Sequence, residues 1–330
     1  MSEAPASSFR IAAAQAAPVF LNRAATIEKA CGLIGQAATG GARLVVFPEC
    51  FVPGFPLWVW FVPAGETRQL RELHAELFEN AVEIPSAATE RLCEAAREAR
   101  TAVVIGVNER STESSGTTLH NTLLFIGPDG RVLGRHRKLV PTTGERLVYG
   151  RGDGSSLVVY DLPVGRLGGL VCWENYMPLA RYALYAAGVQ IYAAPTWDRG
   201  EPWISTLRHI AKEGRVYVVG CGTAMRRNDV PDRFVFKHLV PPGEWVNPGD
   251  SAIVDPDGKL VAGPLRDQEG ILFADADLRQ VVGSRFQLDV AGHYARPDIF
   301  RLLVDRRPRP TVEPSEAATG SREDPDLSQA

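Results

Sequence analysis

Short apolar segments rich in valine, isoleucine and alanine alternate along the chain with longer stretches whose apolar residues recur every three or four positions. The short runs indicate buried strands, and the longer period indicates amphipathic helices. This alternation predicts a layered fold of the α/β or α+β class. Strands are predicted at 10–15, 43–47, 102–107, 122–126, 167–172, 190–193, 217–221 and 251–254, and helices at about 22–37, 66–80, 86–100, 176–187 and 201–213.

Two boundary signals refine this pattern. Ser86 follows Pro85 and is a good N-cap for the third predicted helix, because its hydroxyl can accept an orphan backbone N–H. The segments NTLLFIGPDGRVLGRHR (121–137) and SAIVDPDGKLVAG (251–263) each contain an apolar strand, a Pro-Asp-Gly turn and a second strand. Asp-Gly supplies the positive φ of a tight hairpin turn. The repeated hairpin predicts two related halves within one domain.

Composition and charge exclude several classes of protein. The 330 residues include 45% hydrophobic and 23% charged residues with a net charge of −3, which is ordinary for a globular chain of one large or two ordinary domains. With 36 Lys and Arg against 39 Asp and Glu, no basic field attracts a phosphate backbone. We therefore expect a small neutral substrate and no nucleic-acid partner.

Targeting features point to the cytoplasm. The longest apolar run, at 51–62, is interrupted by Pro53, Gly54 and Pro56 and is too short to span a bilayer, so no membrane association is expected. The segment MSEAPASSFR has neither a basic nor an apolar region of a secretory signal. Five cysteines without a CxxC pair favour reduced thiols and argue against a cysteine zinc site. From residue 307 onward the chain is rich in Pro, Ser and Glu and nearly devoid of apolar residues, so we predict one domain over 1–306 and a disordered tail over 307–330.

Cys172 is the first candidate for chemistry. In GGLVCWENY it follows an apolar strand and precedes a helix-like stretch, which places its sulfur at a strand-to-helix elbow. Backbone amides at such an elbow can receive a developing anion, so nucleophiles are often presented there. The alternative is a buried structural cysteine. The other cysteines, Cys31, Cys50, Cys93 and Cys221, are interpreted as structural.

Charged residues at two other strand ends are further candidates. Glu49 lies just past the strand in LVVFPECFVPGFP, and Lys138 and Glu145 follow the strand that ends in GRHRKLVPTTGERLVYG. Burying a charge costs free energy unless a partner compensates it, so charged residues directly after apolar strands are candidates for a functional site. Taken singly, Glu49 could be a helix-cap acid, and Lys138 and Glu145 could be solvated loop charges. The six histidines form no recognisable motif that would supply a different base.

Together these three segments resemble the nitrilase, or carbon-nitrogen hydrolase, superfamily over residues 10 to 278. The matching text is FPE with Glu49, HRKLVPTTGER with Lys138 and Glu145, and CWENYMPLAR with Cys172, in that order. The segments CWENYMPLAR and ERLVYGRGDGS resemble the true nitrilase branch. The resemblance implies an α+β fold, a four-layer αββα sandwich with two pseudo-symmetric halves. It also implies Cys172 as nucleophile, Glu49 as general base, Lys138 as stabiliser of the anion and Glu145 as a second glutamate, without a metal or cofactor.

Those residue types suit the hydrolysis of a nitrile to its carboxylic acid and ammonia. A thiol of ordinary pKa, about 8.5, needs a base, and Glu49 can take its proton while Lys138 favours the thiolate electrostatically. The backbone amide of Trp173 is expected to be a second donor to the anion. Trp173 and Trp197 are the candidate substrate contacts, and Trp197 belongs to a TWD segment that resembles a pocket wall of the family. Aromatic residues at 55, 58 and 60 would suit an aryl or arylalkyl nitrile, although core packing or a subunit interface is the alternative.

Three alternatives and one assembly hypothesis accompany this prediction. The same residues could hydrolyse an amide or convert cyanide, and a catalytically silent assembly protein could share the scaffold. The resemblance implies a homo-oligomer, a dimer or a larger, often spiral, assembly. The predicted helix at 176–187 carries Tyr182, Leu184 and Tyr185 and is a candidate dimer contact, with packing against its own sheet as the alternative.

Overall fold

The computed structural model describes residues 8–113 and 115–309. Its strands are β1 Ser8–Gln15, β2 Ala42–Val46, β3 Ala102–Arg110, β4 Leu119–Ile126, β5 Val132–Arg137, β6 Tyr160–Leu162, β7 Gly165–Gly169, β8 Ile191–Thr196, β9 Tyr217–Gly222, β10 Ala224–Arg226, β11 Trp245–Val254, β12 Leu260–Arg266 and β13 Gly270–Asp277. They form two sheets, one of six strands in the order β13-β1-β2-β3-β4-β5 and one of seven strands in the order β10-β11-β9-β8-β7-β6, with β12 paired to β11. Within the described chain no helix is both long and apolar enough to cross a membrane.

The described residues also form six α-helices. They are α1 Arg23–Thr39, α2 Thr67–Asn80, α3 Ala87–Ala99, α4 Pro178–Ala186, α5 Glu201–Gly214 and α6 Leu278–Gln287. The five predicted helices match α1 to α5 within about two residues. The helix α6 and the strands β6, β10 and β13 were not predicted. Ser86 caps α3 as expected, and the reciprocal partner in its capping box is Thr89.

The layers follow from three apolar clusters. Ile11, Val46 and Phe125 of the first sheet pack against Ile191 and Val219 of the second sheet, so the inner faces form a shared core. The outer face of the first sheet packs on α1 and α3, and the outer face of the second packs on α4 and α5. This arrangement is the predicted four-layer αββα sandwich, because each sheet must bury both of its faces.

The two halves repeat the same connections. In one half β1, β2 and β3 are parallel, β4 is antiparallel to β3, and β5 pairs with β4 in a hairpin. In the other half β7, β8 and β9 are parallel, β11 is antiparallel to β9, and β12 pairs with β11. The helices α1 and α3 of the first half correspond to α4 and α5 of the second. Both predicted hairpins and the predicted pseudo-symmetry are therefore confirmed.

Two expectations change with the structure. The strand predicted to reach Cys172 ends at Gly169, and Cys172 begins a 3-10 turn, Cys172–Tyr176. Tyr185, placed in a possible dimer contact, is buried within the protomer, where its hydroxyl donates to Glu213 at the end of α5. Leu184 is buried beside it, so these two side chains follow the alternative of packing within the protomer. The predicted tail lies mostly outside the described residues; Arg309, the last described residue, donates its backbone N–H to Asp153.

Candidate active site

The first half of the site is a turn after β2. Glu49 follows this strand by three residues, and Cys50 beside it has a left-handed backbone with φ of 51°. Gly106 on β3 makes room for the turn, since a Cβ there would lie 2.3 Å from the Pro48 oxygen and 2.5 Å from the Cys50 nitrogen. The turn therefore lies directly on the neighbouring strand and fixes where the Glu49 side chain begins.

A second segment contributes an amine and a carboxylate. Lys138 is the first residue after β5, and its backbone N–H donates to the Asn121 carbonyl on β4. Glu145 lies in a short 3-10 turn, Thr143–Leu147, where its Oε2 also accepts from the Thr142 backbone N–H at 3.2 Å. These local bonds orient both side chains toward the turn that carries Glu49.

The three charged groups meet in a buried cluster. Lys138 Nζ donates to Glu49 Oε1 at 2.8 Å and to Glu145 Oε1 and Oε2 at 3.0 and 2.9 Å. Each of the three residues is only 1% exposed. Glu49 also accepts from Asn121 Nδ2 at 2.7 Å and from the Trp197 backbone N–H at 2.8 Å, so its orientation is fixed by three donors. The interpretation of these residues as solvated loop charges or a helix cap does not fit this burial.

Cys172 lies at the edge of the same cluster. It is the first residue of the 3-10 turn after β7, it has φ of 50°, and it is 4% exposed. A left-handed conformation at a residue with a side chain costs about 1–2 kcal/mol and marks a sharp turn. Asn175 Nδ2 holds the turn closed by donating to the carbonyls of Leu170 and Cys172 at 3.2 and 2.8 Å. The sequence-predicted elbow is thus present, with the strand ending earlier than expected.

Burial and charge set the ionisation of these groups. Burial, together with the Glu49 carboxylate, raises the pKa of the Cys172 thiol well above its usual value, and Lys138 only partly opposes this. Burial also raises the pKa of Glu145 to about 7, helped by the nearby Glu49 and opposed by Lys138. Although burial disfavours the charged amine, Glu49, Cys172 and Glu145 raise the pKa of Lys138 well above its usual value. A buried thiol with a raised pKa is protonated at neutral pH. Lys138 favours the thiolate, as expected, but burial and the Glu49 carboxylate outweigh its effect on the pKa of Cys172.

A comparison with known proteins identifies this arrangement. The model of the carbon-nitrogen hydrolase family matches residues 10–286. The chain belongs to the carbon-nitrogen hydrolase family. It is 44% identical over 306 residues to an aliphatic nitrilase of Sinorhizobium fredii, covering 92% of this chain and 98% of that protein. It is also 40% identical to Nitrilase 3 of Arabidopsis thaliana (93% and 90% covered) and to a bifunctional nitrilase/nitrile hydratase of Lupinus angustifolius (94% and 90% covered). These relatives place it in the nitrilase branch.

Solved structures share the fold of this hydrolase. The Caenorhabditis elegans NitFhit protein superposes with a TM-score of 0.68 at 22% identity, over 92% of this chain and 69% of that chain. An amidase from Nesterenkonia sp. superposes with a TM-score of 0.62 at 21% identity, over 87% and 97% of the two chains. At this level of identity the likeness concerns the fold, and it agrees with the four layers described above.

Each of the two candidate tryptophans of the hydrolase adjoins a site residue, Trp197 through its backbone hydrogen bond to Glu49 and Trp173 as the neighbour of Cys172 in sequence. Trp197 follows β8, is half-buried, and stacks on Phe55 with ring centroids 4.7 Å apart; Phe55 stacks in turn on the exposed Trp60. The Trp173 side chain is 50% exposed, and its indole N–H donates to Asp198 Oδ2 at 2.9 Å. Half of the Trp173 side chain is therefore open to solvent and is not packed in the core. Trp58 is 1% exposed and belongs to the same apolar cluster as Phe55, against which Trp197 packs, so Trp58 follows the alternative of core packing.

Several residues near the site were missed by sequence reasoning. Asn121 holds Glu49, and Glu174 accepts backbone hydrogen bonds from Val171 and Leu139, the neighbours of Cys172 and Lys138. An acid two positions after a candidate nucleophile was a usable signal for Glu174, whereas Asn121 gave none. All five cysteines are free thiols, and Cys50 and Cys221 are fully buried. In residues 8–113 and 115–309 no group of His, Cys, Asp and Glu side chains is arranged to hold a metal ion.

Proposed function

We propose that this chain hydrolyses an organic nitrile to the carboxylic acid and ammonia, with Cys172 as nucleophile and Glu49 as general base. The observation that carries the proposal is the buried Lys138 ammonium, which donates to both Glu49 and Glu145 next to the thiol of Cys172. Burying these charges costs several kcal/mol per ion, which their ion pairs and hydrogen bonds must offset, and such clusters of perturbed titratable groups are typical of functional sites. Membership of the nitrilase branch supports the choice of a nitrile over an unrelated carbon-nitrogen bond.

The first step follows from the neutral thiol. As the sulfur attacks the nitrile carbon, Glu49 takes the thiol proton and negative charge develops on the nitrile nitrogen. The Lys138 ammonium stabilises that charge, and the Trp173 backbone N–H is the proposed second donor. Protonation of the nitrogen gives a thioimidate on Cys172. Because the thiol starts protonated, proton transfer to Glu49 accompanies the attack.

Two water molecules complete the reaction. Water adds to the thioimidate carbon as Glu49 accepts its proton, which gives a tetrahedral intermediate with an amino group, a hydroxyl and the sulfur. Protonation of the amino group releases ammonia and leaves a thioester, and a second water releases the carboxylic acid and restores the thiol. The balance is one nitrile and two waters in, one acid and one ammonia out. Expulsion of the sulfur from the tetrahedral intermediate would instead release the amide after one water.

The substrate contacts are proposed to be Trp197 and Trp173. The Trp197 backbone N–H donates to Glu49, and the Trp197 ring stacks on Phe55. A group attached to the nitrile carbon, held next to Glu49, would therefore contact the Trp197 ring. Trp173 directly follows the nucleophile. The stack of Trp60, Phe55 and Trp197 supports acceptance of aryl or arylalkyl nitriles, because flat apolar faces favour aromatic substrates.

The test is product analysis with a panel of aliphatic nitriles, aryl nitriles and arylacetonitriles, scored for ammonia, acid and amide. We expect ammonia and acid from at least one class, and a thioimidate or acyl mass adduct on the Cys172 peptide after rapid quenching. Cys172→Ala should abolish both signals, whereas Cys221→Ala, a matched buried cysteine on β9, should retain them. Turnover of primary amides alone would favour an amidase, turnover of cyanide alone a cyanide-converting enzyme, and no turnover a silent assembly protein; each would refute the proposal.

We further infer a cytoplasmic homo-oligomer without a metal or organic cofactor and without a nucleic-acid or membrane partner. The five free thiols support a reducing compartment. Exposed apolar side chains next to the nucleophile turn, among them Leu179 at 67% exposure and Tyr176 at 43%, support an interface with a second copy. Light scattering tests the assembly, and activity after exhaustive chelation and dialysis tests the absence of a cofactor.

A further inference from the structure

We propose that Glu174 is a positioning residue that fixes the segment carrying Lys138 relative to the turn carrying Cys172, with His136 orienting its carboxylate. Glu174 Oε1 accepts the Leu139 backbone N–H at 2.6 Å, and Oε2 accepts the Val171 backbone N–H at 2.8 Å. Leu139 follows Lys138, and Val171 precedes Cys172. The two oxygens of one carboxylate thus join the two segments that bring the ammonium and the thiol together.

This carboxylate crosses between the two sheets. The strand β5, which ends next to Lys138, is an edge of the six-stranded sheet, while β7, which leads to Cys172, belongs to the seven-stranded sheet. Packing between sheets is set by side chains that tolerate small shifts, whereas two short hydrogen bonds to backbone fix both distance and direction. Through the bond to Leu139, Glu174 therefore supplies a directional link from the Cys172 turn to the end of β5, beside the site.

His136 holds the carboxylate in this bridging orientation. Its Nε2 lies 3.1 Å from Glu174 Oε2 and 3.3 Å from Oε1, and its Nδ1 lies 3.0 Å from Ser156 Oγ. Both His136 and Glu174 are almost completely buried. Burial by itself would raise the pKa of Glu174, but His136 and the two backbone N–H donors hold it below its usual value. The carboxylate keeps its charge, and with it two good acceptor oxygens.

Glu174 and His136 form no hydrogen bond with the reacting side chains among the described residues. Glu174 bonds to His136 and to backbone N–H groups, and the Lys138 ammonium bonds to Glu49 and Glu145 instead. Its effect on the reaction would therefore pass through geometry. Reaction rates fall steeply when reacting groups move by a fraction of an ångström, so a loosened link would lower turnover more than substrate binding. This proposal rests on the proposed function for its turnover readout.

Two substitutions separate the ways in which Glu174 could act. Glu174→Gln keeps the length of the side chain but replaces one acceptor oxygen with an N–H₂ group facing a backbone donor. Glu174→Asp keeps the charge but shortens the side chain by one methylene, so it cannot reach both anchors. We expect each variant to lower kcat at least about tenfold while KM changes by less than about threefold.

The matched control is Glu109→Gln. Glu109 is another buried carboxylate, at 1% exposure, but its partners are the side chains of Thr122, Arg135 and Arg137. We expect this variant to lose at least as much thermal stability as Glu174→Gln and to keep kcat within about twofold of wild type. A second readout is the rate at which iodoacetamide alkylates Cys172, followed by mass spectrometry of that peptide; it should fall in both Glu174 variants and remain unchanged in the control.

The outcomes distinguish this proposal from the proposed function. Wild-type kcat in Glu174→Gln, full activity in Glu174→Asp, or equal losses of kcat in Glu174→Gln and the Glu109→Gln control would overturn the positioning role. If the wild type released ammonia from no nitrile, the proposed function would fail, and the alkylation rates of Cys172 would still test the link. Should Glu174→Gln fail to fold, Glu174→Asp and the alkylation assay decide the question.

Discussion

The backbone N–H of Trp197 donates to Glu49 Oε2 at 2.8 Å, across 148 positions of sequence. This bond joins the two pseudo-symmetric halves at the site, since Glu49 follows β2 of the first half and Trp197 follows β8 of the second. The donor is a backbone group, so the Trp197 side chain can change without removing support from Glu49. The Trp197 backbone orients Glu49, and the Trp197 side chain shapes the pocket wall, so the two roles are independent.

This separation predicts the behaviour of Trp197→Ala. The Glu49 contact should persist, so kcat for a small aliphatic nitrile should stay within about threefold of wild type, while KM for an arylacetonitrile should rise at least about tenfold because the ring face is lost. Steady-state kinetics on both substrates measure this, with Trp197→Phe as the conservative comparison. A loss of kcat on every substrate would show that the side chain, not the backbone, holds Glu49.

The hydrogen bond between Lys138 and Glu49 predicts strong non-additivity. Lys138→Met and Glu49→Gln should each lower kcat by several orders of magnitude, and the double variant should be little worse than either, because the two groups act as a unit. Rates of ammonia release from the three variants test this. If Glu49→Gln kept more than about a tenth of the wild-type rate, a change of less than about 1.4 kcal/mol in the barrier, the general-base role would be wrong.

The raised pKa of Glu145 predicts a pH dependence of stability. Its pKa is about 7 in the folded protein against an ordinary value of 4.5, so the folded state binds more protons than the unfolded state between these values. The contribution of Glu145 to stability is complete below about pH 4.5 and is lost as the pH rises through about 7. Urea unfolding at pH 5, 6, 7 and 8 should show wild type losing stability relative to Glu145→Gln over this range. A constant difference, or one of opposite slope, would contradict the burial argument.

The exposed face beside the nucleophile turn predicts where copies of the chain meet. Leu179→Glu or Ala186→Glu should yield smaller particles by light scattering and, because α4 follows the Cys172 turn, lower turnover. Val282→Glu on α6 is a control of equal exposure, at 67%, and should leave particle size unchanged. Tyr185→Glu is unsuitable as a test because Tyr185 is buried against Gly214. A folded Leu179→Glu monomer with full activity would refute the coupling and leave the catalytic proposal untouched.

Deletion of residues 307–330 tests the proposed domain boundary. Among the described residues the deletion removes the exposed ion pairs of Arg307 and Arg309 with Asp305 and one backbone hydrogen bond to Asp153. Exposed ion pairs contribute little, so we expect the melting temperature to fall by less than about 5 °C and kcat to be unchanged. A deletion starting at residue 310 is the control that retains the Asp153 bond. A larger fall would show that the segment belongs to the folded domain.

Much of this protein follows from sequence alone. Five helices and eight strands lie where the spacing of apolar residues and the boundary residues predict them. Each of these elements buries one or both faces, and the buried positions must be apolar, so the pattern is visible within each segment. The hairpins at 121–137 and 251–263 show the internal repeat without any coordinates. Glu49, Lys138, Glu145 and Cys172 were singled out by residue type at strand ends, and their order along the chain identified the family. Weakly patterned elements such as α6 and the short β6 and β10 were missed, since their neighbours in the fold stabilise them.

Tertiary structure decided what depends on contacts between distant segments. The state of the Cys172 thiol follows from burial beside Glu49, which no local pattern reports. Tyr185 belongs to the protomer core because α5 packs over it, although its sequence context also suits an interface. The carboxylate of Glu174 joins Leu139 to Val171 because two sheets meet there. The sequence sets which side chains each segment carries. The ionisation of Cys172, the orientation of Glu174 and the contacts of Tyr185 depend on distances between segments, and these distances exist only once the two halves have packed together.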